Sequence, residues 1–165
     1  MLTKDQLLDS IATEIRVIRH LANKLDSARL DWRPTSCQRS TIELLRYLST
    51  AGTALTRAMV RGSWDLETVV AETPRTLEFA EFDAAMARQD AAIRELLRPF
   101  SEDDLRRRPA QMPDGRTTNL GAALVDVVLR VLGGYRMQLF LYAKGSGNHA
   151  LSTLDCWYGV DGPPA

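Results

Sequence analysis

Two phenols and an amide, Tyr135, Gln138 and Tyr142, recur at three- and four-residue intervals late in the chain, on a line that begins with Val131. Residues at that spacing share one face of a helix. The line continues a face that starts at Leu120, Leu124 and Val127. Two uses of such a face are open. The phenols can pack as core, their hydroxyls bonded to each other or to an amide such as Gln138 or Gln89. Alternatively they can supply the polar contacts of a small, apolar-walled ligand pocket. Gly133-Gly134 stands beside Tyr135. Each glycine lowers helix stability by about 1 kcal/mol relative to alanine. Close approach by another helix, or room for a ligand, would offset that cost.

Other reactive residue types have less support from their spacing. Cys37 has no histidine near it in sequence, and no Ser-His-Asp set falls in an informative pattern. Asp103 and Asp104 follow Ser101 at an expected helix start, where acidic groups favour the helix dipole. Gly145-Ser146-Gly147 follows a helix, whereas phosphate-cradling loops precede one. Arg106-Arg107-Arg108 reads as a solvated loop. The two histidines, His20 and His149, are expected to face solvent, one off the apolar stripe of the first helix and one in the tail.

Four amphipathic helices must position these groups. The first runs from Lys4 to Leu25, capped by Thr3, with Leu7, Ile11, Ile15, Ile18, Ala22 and Leu25 at the period of one helix face. The second follows the capping box Ser40-Thr41-Ile42-Glu43 and ends at Gly62. The third spans Phe79 to Leu97 and is closed by Pro99. The fourth starts at the N-cap Asn119 and stops at Gly145. Pro34 breaks the first connection, and Trp32 is expected to anchor that loop on the bundle. Pro109, Pro113 and Asp114-Gly115 mark a turn or small hairpin before the fourth helix. Trp157 and Tyr158 are too apolar for a free tail, so residues 146–165 are expected to fold back. Cys37 and Cys156 both fall in segments read as non-helical, and two reduced thiols are expected.

The 165 residues suit one domain, 1–165, with an all-α fold: a four-helix bundle with long crossover connections. Lys+Arg and Asp+Glu are both 21, a balance that argues against a general nucleic-acid or anionic-membrane binder. The 120–143 stretch carries Asp126, Arg130 and Arg136, each too costly at mid-bilayer for a membrane span. The charged N-terminus does not read as a signal peptide, so a cytoplasmic location is expected.

Several motifs together resemble the DinB/YfiT-like superfamily: Trp32-Arg33-Pro34, Leu44 to Leu48, Tyr135 to Leu139, Tyr142-Ala143-Lys144 with Gly145, and the closing Asp155 to Asp161. The resemblance implies a bundle whose second helix supplies one histidine and whose fourth supplies two, four residues apart, around a divalent metal. Here those positions are Tyr47, Val131 and Tyr135. Valine cannot ligate, and tyrosine ligates chiefly as a phenolate, against an ordinary pKa of about 10. The expectation is therefore a member with no histidine-built metal centre and no cofactor. Its pocket would be marked by Tyr47, Val131 and Tyr135, with Gln138, Gln89 and Tyr142 as polar contacts. Val125, Val128, Leu129, Leu132, Leu139 and Phe140 lie outside that face, which suggests a homodimer. The functional expectation is a dimeric bundle binding a small apolar ligand, a low-molecular-weight thiol or a partner protein. The alternative is a thiol-dependent transferase or isomerase working between helices two and four.

Overall fold

The computed structural model describes residues 2–162; residue 1 and residues 163–165 of the expected tail lie outside them. Helix α1 (Lys4–Ala22) begins at a reciprocal cap, the Thr3 hydroxyl accepting from the Gln6 amide and the Gln6 side chain accepting from the Thr3 amide. It stops before Leu25, because the amides of Lys24 and Leu25 turn to the carbonyls three residues back and tighten the chain out of the helix. Helix α2 (Thr41–Arg61) opens on the expected Ser40/Glu43 capping box and closes at Gly62, whose φ of 78° needs glycine.

Between Gly62 and the third long helix lies a short helix that periodicity does not reveal, α3 (Leu66–Ala71). The third long helix, α4 (Phe82–Leu97), is preceded by a 3₁₀ turn at Phe79–Glu81. Helix α5 (Glu102–Arg107) starts on the Ser101/Asp104 box and carries Arg106 and Arg107 exposed on its last turn. The turn-rich stretch is a hairpin of β1 (Pro109–Gln111) and β2 (Thr117–Asn119), antiparallel with Ala110 opposite Thr118.

The final long helix is one rod in three parts: α6 (Leu120–Ala123), a π-helical segment (Leu124–Leu129) and α7 (Arg130–Gly145). The Arg130 amide donates to the Val125 carbonyl five residues back, which widens one turn. Val128, Leu132 and Leu139, expected off the Val131–Tyr135 line, are fully buried. The rod packs on both α1 and α2, so two of its sides are core. Gly145 is the last helical residue rather than a left-handed cap. A Cβ there would lie 2.6 Å from Trp32 Cη2, so the anchoring indole requires glycine.

The four long helices run up, down, down and up. Lys4 Nζ donates to the Phe100 carbonyl, placing the start of α1 beside the end of α4. Arg46 on α2 meets the Leu77 carbonyl just before α4, so α2 and α4 start at the same end and run parallel. The long 62–81 crossover makes this possible. At the α2–α4 crossing, a Cβ on Gly52 would lie 3.0 Å from Gln89 Oε1 and 3.1 Å from Ile93 Cδ1.

The tail does fold back. Helix α8 (Thr153–Tyr158) is capped by Ser152 and ends at Gly159 with φ 60°. Cys156 therefore sits in a helix, and it is buried; Cys37 is exposed, and both are free thiols. Among the described residues no helix is long and apolar enough to cross a membrane.

Candidate functional site

Tyr47 on α2 and Tyr135 on α7 face each other with ring centroids 4.8 Å apart and planes tilted by 52°. Antiparallel packing of the two helices brings them together. Arg39, from the loop before α2, lies over the pair: its guanidinium carbon is 4.6 Å from the Tyr47 ring centre, and Nη1 donates to the Tyr135 hydroxyl at 3.5 Å. Burial, reinforced by Tyr135, pushes the Tyr47 phenol up to about 12, although Arg39 pulls the other way. Val131, a turn before Tyr135, is half-buried and packs on the core.

A second polar group stands one turn further along α7. Gln138 Nε2 donates to the Tyr142 hydroxyl at 2.9 Å, and that hydroxyl donates to the Arg39 carbonyl at 3.0 Å. The Tyr142 ring meets Trp32 edge-on at 5.4 Å. Tyr142 and Gln138 thus fasten the Trp32–Arg39 loop to the end of α7. Gln89 acts elsewhere. Its Nε2 donates to the Leu48 carbonyl and its Oε1 accepts from the Thr53 amide, so it joins α4 to the backbone of α2 rather than to a phenol.

Next to the phenol pair a cleft of about 670 Å³ opens between the 33–39 loop, the first turns of α2 and residues 70–75 of the crossover. Arg33, Arg39, Arg46 and Arg75 line it, together with Cys37, Val70 and Pro74. Among the described residues Glu43 is its one acidic lining residue, and it is engaged by the Ser40 amide and by Arg33 at 3.5 Å. Those contacts hold the Glu43 carboxyl below its usual range, the Ser40 amide contributing most. Among the described residues neither Arg39 nor Arg75 has a carboxylate partner. An apolar hollow of about 320 Å³ lies at the opposite end of the bundle, lined by Leu7, Leu105 and Val125 among others.

The far side of α7 faces α1 and the tail. Arg136 Nε lies 3.1 Å from Glu14 Oε2, too oblique for a hydrogen bond but close enough for a buried ion pair. Its Nη1 donates to the Cys156 carbonyl at 2.9 Å, and its guanidinium covers the Trp157 ring. Burial raises the Glu14 carboxyl, with Arg136 pulling it back. A Cβ on Gly133 would meet Glu14 only at ordinary contact distance, 3.8 Å, and nothing lies within 4 Å of one on Gly134. His20 is not solvent-facing: Nε2 is 2.9 Å from Asp155 Oδ1, and the ring is largely covered by the returning tail. His149 is exposed.

The arginines are the site residues that sequence reasoning missed. Arg33, Arg39 and Arg46 flank the Pro34 loop and the Ser40 cap, a local concentration visible in the sequence. Arg75 joins them only through the crossover.

No family model matches the chain, and no curated protein matches it. Among solved structures, a DinB-like protein from Bacillus subtilis, YjoA, superposes with a TM-score of 0.67 at 15% identity, over 87% of this chain and 93% of that one. The chain has a DinB-like fold. In this DinB-like bundle, Tyr47 and Tyr135 are neighbours across α2 and α7, and the arginine cleft opens beside them.

Proposed function

We propose that this DinB-like protein is a small-molecule-binding bundle that works without a histidine-built metal centre. Its ligand is anionic and enters the arginine-lined cleft beside Tyr47 and Tyr135. The observation that carries this reading is the pair Arg39 and Arg75, two guanidinium groups at one cleft with no carboxylate partner among the described residues. A guanidinium fork suits a carboxylate or phosphate. Val70, Ala71 and Pro74 supply apolar surface for the remainder of the ligand.

The residues at the expected ligand positions do not fit a divalent cation. Val131 offers no donor atom. The Tyr47 phenol keeps its proton up to about 12, and its ring is in contact with that of Tyr135. Such a phenol donates a hydrogen bond at neutral pH and neither ligates nor acts as a base. Homodimerisation is part of the same reading. Leu141, Trp157, Tyr158 and Val160 are exposed apolar side chains suited to a second copy, and sedimentation of the purified chain tests this.

The test is calorimetric titration with pyrophosphate, citrate and the sulfonated dye 8-anilinonaphthalene-1-sulfonate. At least one should bind, with affinity falling as salt rises. Arg39→Ala and Arg75→Ala should each weaken it by about tenfold, the cost of one charge-assisted contact. Failure of all three probes, or binding unchanged in both variants, would overturn the reading.

A thiol-dependent transferase is the second reading, favoured by the Arg39 contact to the Tyr135 hydroxyl, which could orient a thiol or its acceptor. Turnover of an electrophile with a thiol cosubstrate, abolished in Tyr135→Phe, would support it. Background rates alone would count against it.

A further inference from the structure

The geometry points to a divalent transition-metal site, unrelated to the phenol pair, where His20 of α1 meets Asp155 and Asp161 of the returning tail. One ligand atom from each of the three side chains falls within 4.8 Å of the others. His20 Nε2 lies 2.9 Å from Asp155 Oδ1 and 3.7 Å from Asp161 Oδ1. Bonds of about 2.1 Å at tetrahedral or octahedral angles place neighbouring donors about 3.0–3.5 Å apart. The two separations from His20 lie on either side of that range and the third is no more than 4.8 Å, so an ion would draw the two carboxylates together around it.

The ligands come from distant parts of the sequence and are held by structure built for other reasons. Asp155 is buried, and its second oxygen, Oδ2, accepts from the Ser152 amide at 2.8 Å and from the Ser152 hydroxyl at 2.9 Å. That cap leaves Oδ1 directed at His20, an outer-shell arrangement that orients a ligand in advance. Among the described residues no arginine or lysine lies against Asp155.

Gly159 turns the chain back at φ 60°, and Gly162 passes so close to Ser152 that a Cβ would overlap its hydroxyl. This fold-back returns Asp161 to His20. Lys24 Nζ, 2.7 Å from Asp161 Oδ1, holds the carboxylate there and must withdraw when an ion binds; its flexible stem permits that.

One imidazole and two carboxylates select a borderline cation such as Zn²⁺, Ni²⁺ or Co²⁺ over Ca²⁺ or Mg²⁺, which favour all-oxygen sites. Binding through Nε2 replaces its contact with Asp155, the ring then carrying its proton on Nδ1, and leaves the other coordination positions to water, since Asp161 is exposed. The ion would staple the tail to α1.

Equilibrium dialysis of chelator-treated full-length protein against Zn²⁺, with Co²⁺ absorption as the geometric readout, tests the site. Wild type should take up one equivalent and raise its melting temperature. His20→Gln and Asp161→Asn should each weaken uptake by at least about tenfold. Asp161 is exposed, so its variant should fold regardless. Cys37→Ser and His149→Gln should retain full uptake. No uptake by wild type, or uptake unchanged in both His20→Gln and Asp161→Asn, would overturn the proposal.

Discussion

Replacing Tyr47 by phenylalanine removes one ionisable group and keeps the ring that packs on Tyr135. The folded-state phenol sits at about 12 against an ordinary 10.0. Two units correspond to about 3 kcal/mol of preference for the protonated form. Because the folded value lies above the unfolded one, this stability is fully present below pH ~10 and is lost as pH rises towards 12. Integrated to pH 11, the loss is about 1 kcal/mol. Urea unfolding at pH 8 and pH 11 should therefore show wild type losing about that much more stability than Tyr47→Phe between the two. A difference ultraviolet titration, wild type minus Tyr47→Phe, should place the missing tyrosinate step near pH 12. A Tyr47 step at or below pH 10, or equal alkaline losses in the two proteins, would refute the reasoning. It would also reopen Tyr47 as a ligand or base at the candidate site.

Gly134→Ala should stabilise the protein by about 0.5–1 kcal/mol, since nothing lies near the added methyl and α7 gains helix propensity. Gly52→Ala makes the same propensity change but drives a methyl onto Gln89 and Ile93, so it should destabilise by about 1–2 kcal/mol in the same chemical-denaturation assay. Arg136→Met leaves the half-buried Glu14 carboxylate without its partner and should cost about 1–3 kcal/mol, whereas adding Glu14→Gln should restore part of that in a double-mutant cycle. Asp155, held at about 2 from an ordinary 3.8, contributes stability above pH ~4 that is lost as pH falls towards 2. Acid titration of unfolding should therefore be flatter in Asp155→Asn, by about 2 kcal/mol across that window.

Local chemistry made much of the fold legible. The Thr3 and Ser40 caps start α1 and α2 at the expected residues because hydroxyl and amide sit three positions apart along the chain. Asn119 starts the last rod for the same reason. Helix ends and irregular turns depended on more than local pattern. α1 ends before Leu25, and one π turn interrupts the last helix, changes in backbone bonding that the apolar period does not show. Gly145 follows the same rule: it reads as a stop signal in sequence and is in fact room for Trp32.

The site divides along the same line. The sequence by itself determined which donors exist: phenols at Tyr47 and Tyr135, valine at 131, and histidines only at positions 20 and 149. It also determined that these side chains ride on helices of a bundle, since apolar period and caps act within a few residues. Only the tertiary structure decided that the two phenols touch, that Arg39 and Arg75 meet across a crossover, and that His20 is covered by Asp155 and Asp161. Those partners are far apart along the chain. Their meeting is set by how loops close and helices cross, which no local pattern of residues encodes.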